Sequence, residues 1–457
     1  MQLIPFSAIN QKIRELLWHP HIYSQRTYSF LKIFQHGLYY HFTQQDKKII
    51  FNYLLFPIWV QRIIYYLKSK PKNKRKRPEC KEIVIIDPGR VVVDEDKKYH
   101  SIYFSRIADL IGHSRITLIN QNSAALTKAE FSFGDVAENL PPLDEAEIEL
   151  LKEIQFVLKS SRKAVQFDHN ERKQIQSAIH IFFFDFRVYY NLLKNQPTKK
   201  LLFTCHYHNE GLIAACEILG IETIELQHGL IAANDLYYVY DMHFKASINR
   251  SFFPTKILVY GPYWKKILEG GCEFRKDQIY VGGDYLYRLN AASDLPMEKE
   301  NLIVICAQKN MHDDYVSYAR ELMKHSEKHP EWKVIVKLHP LERNKEAYYK
   351  LIELGVEIRD IETPLDDLLK RCKIQISIYS TTFYDALGFN VCNYSLQKYG
   401  SMSDYAAEMI EEGVAEALYV HENPFEKFIS THNKNALLSR EEVYSDFDPS
   451  IIHRLIC

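Results

Sequence analysis

Three short stretches carry side chains with chemistry to offer. Gln227-His228-Gly229 follows the apolar run Ile221–Leu226, and His339-Pro340 closes the run Lys333–Leu338. A histidine at a strand end can exchange a proton near neutral pH or donate a hydrogen bond to a phosphate. The third stretch, Ser377-Ile378-Tyr379-Ser380-Thr381-Thr382, sits where a strand gives way to a helix. Hydroxyls and unpaired N–H groups in such a turn suit an oxyanion. Gln308 and Lys309, in the polar loop after Leu302–Cys306, add a hydrogen-bonding group and a charge. With His339, Pro340, Ser377, Ser380, Thr381 and Thr382 they make up the expected phosphate-binding set.

The earlier half of the chain supplies the candidates for proton transfer. Glu210 stands where the loop His206–Gly211 enters a helix, and its carboxylate suits a general base or the neutralisation of the helix start. His228 is the rival base. Gln227, Gly229, Gly283 and Asp284 close strands of the same domain and are expected to line the cleft. His206-x-His208 would share a face on a strand, but no third metal ligand of matching spacing follows, so no metal site is expected.

These residues need a frame of parallel strands. Short apolar runs alternate with helical stretches along the chain. Strands are expected at 82–87, 116–120, 200–205, 221–226, 256–261 and 278–284, with helices near 101–111 and 212–219. Residues 144–195 read as helical, interrupted by the apolar run Ile179–Phe184. A second series has strands at 302–306, 333–338, 356–358 and 374–378 and a helix over 313–328. The fold class is α/β, with two Rossmann-like domains. The boundaries are 1–78 for a helical, aromatic-rich segment and basic linker, 79–291 for the N-terminal domain, and 298–457 for the C-terminal domain with its tail. Polar strand ends of the two domains are expected to face each other across a cleft.

Composition narrows the partners. The 457 residues are 46% hydrophobic and 25% charged, with a formal net charge of +0, so no global field recruits nucleic acid. Eight cysteines without a Cys-x-x-Cys pattern suit a reducing compartment. The first twenty residues lack the pattern of a signal peptide, so a cytoplasmic location is expected. Seven basic residues between 68 and 77 follow an aromatic, aliphatic segment. Residues 49–77 are therefore the candidate contact with the anionic inner face of the cytoplasmic membrane, or else a helical subdomain with a solvated linker.

Taken in order, Gln227-His228-Gly229, Val259-Tyr260-Gly261, Val281-Gly282-Gly283, Lys337-Leu338-His339-Pro340 and Ser377-x-x-Ser380-Thr381-Thr382 carry a resemblance over roughly residues 200–400. The chain resembles the GT-B glycosyltransferases that build bacterial surface polysaccharides. Members include capsule Kdo transferases, sialyl- and polysialyltransferases and CDP-glycerol polymer transferases. The resemblance implies inverting, metal-independent transfer from a nucleotide-sugar donor; the serine- and threonine-rich loop suits a CMP-sugar such as sialic acid or Kdo, and it would also suit a CDP, UDP or GDP donor. The acceptor would be a hydroxyl of a glycan or glycolipid of capsule or lipopolysaccharide. The donor is a substrate, and no cofactor is implied. His339, Pro340, Ser380 and Thr381 would hold the donor phosphate. The family's acidic, acidic, glycine motif finds its nearest match in Asn209-Glu210-Gly211, which departs at its first position, so Glu210 and His228 both stand as the base. A nucleotide-sugar epimerase of similar two-domain fold, a CDP-alditol phosphotransferase and a non-enzymatic assembly scaffold are the alternatives.

Overall fold

The computed structural model describes residues 11, 30, 32–35, 79–93, 96, 98–121, 131–132, 140–164, 167–233, 235, 237–239, 252–271, 273–286, 299–308, 311–339, 342, 344–360, 362–397, 404–420, 422–430 and 438–457. Lys309, Pro340 and the candidate membrane segment 49–77 lie outside them. The chain divides into two compact units: Ile4–Ala291 with Ser445–Cys457, and Ala292–Tyr444 with Met1–Leu3. No helix of the described residues is long and apolar enough to cross a membrane.

The first unit is built on a seven-stranded parallel sheet. Its strands are β1 (Ile83–Asp87), β4 (Ile116–Asn120), β5 (Phe131–Ser132), β6 (Lys200–Phe203), β7 (Glu222–Leu226), β8 (Lys256–Val259) and β9 (Ile279–Val281). They lie in the order β5-β4-β1-β6-β7-β8-β9, with Ile83 opposite both Ile116 and Lys200. The order reverses between β1 and β6, so the carboxyl ends of these two strands flank the switch point where open α/β sheets bind ligands. A small hairpin, β2 (Val91–Val93) with β3 (Tyr99–Ser101), follows β1.

The helices of this unit are α1 (Ser105–Ile111), α2 (Glu145–Ala164), α3 (His169–Leu193), α4 (Glu210–Leu219) and α5 (Pro262–Gly270). Asp168 starts α3, its side chain accepting from the Asn170 and Glu171 N–H groups in a capping box. The apolar run Ile179–Phe184 does not interrupt the helix; it lies inside α3. Most of its bulk is buried, with Phe182 and Phe183 at 4% exposure or less, because α3 packs against other elements on more than one side. That removes the alternation expected of a half-exposed helix. A buried Arg187–Glu147 pair at 2.7 Å ties α3 to α2, with Asn191 donating to the same carboxylate.

The second unit repeats the plan with a six-stranded sheet in the order β12-β11-β10-β13-β14-β15. The strands are β10 (Glu300–Cys306), β11 (Lys333–Lys337), β12 (Glu357–Arg359), β13 (Cys372–Ser377), β14 (Cys392–Gln397) and β15 (Glu416–Tyr419). All pairings are parallel. Ile303, Ile305, Val334, Val336, Ile374 and Ile376 pack on one face under α6 (His312–Ser326), through Tyr315, Tyr318 and Leu322. Leu302, Val304 and Ile335 pack on the other face under α8 (Leu365–Arg371); the short α7 (Lys345–Tyr349) precedes β12. Burial on both faces explains the continuous apolar runs Leu302–Cys306 in β10 and Val334–Val336 in β11. After β13 come α9 (Thr382–Asp385), α10 (Asp404–Glu411), α11 (Pro424–Ser430) and α12 (Arg440–Val443).

Residues 445–457, grouped by sequence with the C-terminal domain as its tail, belong to the first unit. The Ser445 N–H donates to the Tyr260 carbonyl, the Asp284 N–H to the Ser445 carbonyl and the Asp448 N–H to the Gly282 carbonyl. The closing helix α13 (Pro449–Ile456) is capped by Asp448 and buries Ile452, Leu455 and Ile456. Gly283 lies beneath the strap with φ +75°, and a Cβ there would run into the Asp446 carbonyl. Gly283→Ala is therefore expected to cost about 2 kcal/mol or more, from backbone conformation and displacement of the strap together. Gly270→Ala, where a Cβ meets nothing within 4 Å, is the control. Thermal melts of the two variants check this: the first should melt several degrees below wild type and the second close to it.

Candidate functional site

At the switch point of the first unit, three strand exits bring together residues far apart in sequence. β1 leads through Asp87-Pro88-Gly89 to Arg90. β6 leads through Thr204 to Cys205. β7 leads into Gln227-His228-Gly229. His228 Nε2 lies 2.9 Å from Cys205 Sγ and 3.2 Å from the Tyr207 hydroxyl. Tyr103, buried behind the loop, accepts from Arg90 at 2.8 Å and donates to the His228 carbonyl at 3.1 Å. His228 Nδ1 is buried and has no partner within the protein. Gln227 holds the loop's shape, since its amide donates to the Gly229 carbonyl and its Oε1 accepts from the Tyr260 N–H.

The protonation states follow from burial. Enclosure pushes the His228 imidazole down to about 4, with the Arg90 charge helping and Glu225 opposing. His228 is thus neutral at neutral pH. Burial pushes the Cys205 thiol up to about 12, with the Glu225 charge adding, so it is a protonated thiol beside a neutral ring.

Beneath this loop lies a buried polar network. Glu225, in β7, meets His206 Nδ1 at 2.5 Å and accepts from the Tyr238 hydroxyl at 2.7 Å. His206 Nε2 lies 2.7 Å from the Tyr237 carbonyl, which can only accept, so that nitrogen carries a proton. Burial raises the Glu225 carboxyl, but His206 and Tyr238 outweigh it and hold the group below the usual carboxylate range. Lys32 enters from the N-terminal segment: its ammonium donates to the Phe252 carbonyl at 3.1 Å and lies over the Phe253 ring. Burial lowers it to about 8, while Glu210, Glu225 and Glu273 pull it back up. Cys205 (φ +59°) and Phe252 (φ +61°) both take a backbone conformation rare for side-chain-bearing residues, and both adjoin this network.

The sequence-based candidates of this unit divide. Glu210 opens α4 and is buried, with its charge acting on Lys32. Gly211 allows α4 to approach α3, since a Cβ would sit 2.5 Å from the Phe182 carbonyl oxygen. His206 and His208 occupy a 3₁₀ turn instead of a strand, so His206 is buried on Glu225 and His208 is exposed. Asp284 gives its N–H to the strap. Arg90, Tyr103, Cys205, Glu225 and Lys32 were not singled out from sequence. The one signal for them was Glu225, a charge inside an otherwise apolar strand end.

In the second unit, Gln308 and Ser377 flank the β10/β13 switch point, and a single tyrosine joins them. The Tyr315 hydroxyl lies 2.9 Å from Gln308 Oε1 and 3.1 Å from Ser377 Oγ, and it accepts from the Ile378 N–H. Gln308 also accepts from the Tyr379 N–H at 3.1 Å. Ser377 is fully buried and donates to the Cys306 carbonyl at 2.8 Å, so its hydroxyl shapes the turn from inside. Thr382 accepts from Gln375, and Ser380 accepts from the Thr382 N–H. Ser380, Thr381 and His339 are half-buried in loops that leave β13 and β11. The helix after the hydroxyls, α9, has only four residues, too short to add a helix-end field to them.

No family model matches the chain, and no curated protein matches it. Solved structures with a likeness include the S. aureus MnaA–UDP co-structure, at 12% identity and TM-score 0.48, over 82% of this chain and 95% of that one. UDP-GlcNAc 2-epimerase from Neisseria meningitidis bound to UDP-GlcNAc also aligns at 12% identity and TM-score 0.46, over 82% and 99%. CalG4, the calicheamicin glycosyltransferase, aligns at 12% identity and TM-score 0.46, over 82% and 97%. Likeness this distant carries no assignment of activity.

Three outcomes are expected of the network. Glu225→Gln leaves a buried histidine and lysine undercompensated and should cost about 3–5 kcal/mol in stability, measured by denaturation. His228 should stay neutral through the ordinary histidine midpoint of about 6.5 when its ring is followed by nitrogen-15 NMR. As pH falls from about 6.5 to about 4, the unfolded chain binds a proton that the folded chain refuses, so stability should drop across that window. His228→Gln should flatten the drop.

Proposed function

We propose that the chain is a glycosyltransferase that moves a sugar from a nucleotide-activated donor to a hydroxyl of a bacterial surface glycan. One observation carries the reading. The histidines of the two motifs, with Ser380 and Thr381, all stand in loops that leave the carboxyl ends of parallel strands. In the proposed reaction His228, neutral and with a ring nitrogen that no protein group occupies, takes the proton from the acceptor hydroxyl. His339, Ser380 and Thr381 hold the leaving phosphate and stabilise the charge that grows on it. Glu210, whose charge acts on a buried ammonium, is the less suited of the two bases.

A CMP-linked donor is favoured, since hydroxyls and one histidine suit a single phosphate. The basic run at 68–77 supports a place at the anionic inner face of the cytoplasmic membrane, where glycolipid acceptors reside.

Thermal shift against CMP, CDP, UDP and GDP tests the donor. A ligand at a hundred times its Kd stabilises by about 2.7 kcal/mol, so the correct nucleotide should stand out. In a transfer assay, His228→Ala and His339→Ala should each lower kcat/KM by roughly 10²–10⁴. Wild-type rates in His228→Ala would return the base role to Glu210. Donor conversion without an acceptor would identify an epimerase.

A further inference from the structure

The guanidinium of Arg90 is placed with care and left without an acid. Arg90 is exposed on the exit of β1, at the switch point, and no carboxylate pairs with it among the described residues. One of its N–H groups is fixed on the Tyr103 hydroxyl at 2.8 Å. That hydroxyl donates in turn to the His228 carbonyl, and the Tyr103 ring sits edge-on to the imidazole with centroids 6.4 Å apart. The position of Arg90 is therefore tied to the loop that carries His228. Of the nearby carboxyls, Asp87 accepts from the Gly89 N–H at 2.7 Å through one oxygen and makes no ion pair with Arg90, and Glu225 is bonded to His206 and Tyr238. Tyr103, Cys205 and His228 around it are neutral groups. A guanidinium with part of its fork free, beside a buried ring nitrogen that has no protein partner, is an arrangement for an oxyanion on a hydroxylated ligand.

Resting on the glycosyltransferase reading, we propose that Arg90 is an acceptor-binding residue that recognises an acidic group, a carboxylate or a phosphate, on the sugar whose hydroxyl meets His228. The enzyme thus extends an anionic glycan. Arg90 sets which acceptor binds, and His228 sets which hydroxyl reacts.

The test uses the full chain and small probes, followed by ligand-observed NMR and thermal shift. N-Acetylneuraminic acid should bind at millimolar concentration, and its methyl ester about tenfold more weakly, since only the charge-assisted contact differs. Galactose 1-phosphate in place of the acid separates a phosphate-bearing acceptor from a carboxylate-bearing one. Arg90→Gln should abolish binding of the anionic probe and Arg90→Lys should retain part of it. Neither variant should move the nucleotide-induced shift. Equal binding of acid and ester overturns the proposal, as does failure of both anionic probes to bind wild type. It also falls if Arg90→Gln weakens nucleotide binding while leaving acid binding intact, which would make the donor's own phosphate the partner. Loss of all nucleotide binding in wild type, with acid binding preserved, would sink the glycosyltransferase reading and leave the anion site standing.

Discussion

The hydrogen bond between His206 and Glu225 is the constraint on which the first unit's loops depend. Glu225 is part of β7 and His206 follows β6, so the pair fastens the exits of two neighbouring strands below the surface. Tyr238 and the backbone at Tyr237 bring the next loop to the same point, and Lys32 brings the N-terminal segment. With so many donors on one carboxylate, its charge is the cheapest state available despite complete burial. The unusual backbone at Cys205 is held by this fastening, and it puts the thiol against His228.

The two units solve the same topological problem with different chemistry. Each is an open parallel sheet with a reversal of strand order, and each gathers its polar side chains at that reversal. In the first unit the gathering rests on ionised groups. In the second it rests on neutral ones, with the Tyr315 hydroxyl linking Gln308, Ser377 and the Ile378 N–H in a single cluster. A neutral cluster of this kind has no charge to desolvate, and burial keeps the Tyr315 phenol protonated far above neutral pH.

The alternation of strands and helices was legible because parallel strands buried on both faces must be apolar at every position; Ile83–Ile86 and Leu302–Cys306 are such runs. Where that logic weakens, so did the reading. Cys392–Gln397 is a central strand whose polar side chains find partners inside, as Asn393 does on the Phe383 and Val414 carbonyls, and nothing local announces this. The apolar stretch in α3 misled for the opposite reason, since a helix buried on more than one side loses its period. At the site, His228 was legible by residue type and by its place after a strand. Its partners were not, because Arg90, Tyr103 and Cys205 come from separate segments and only the strand order makes them neighbours.

The strap formed by residues 445–457 makes the first unit discontinuous in sequence. Backbone groups near the ends of β8 and β9 have their hydrogen bonds completed by a segment that emerges from the ribosome only after the whole second unit. During synthesis the first unit therefore waits with an open edge near Gly282 and Gly283. A nascent chain halted around residue 291 would present that edge to chaperones, and it would be a poor starting point for expressing the domain by itself.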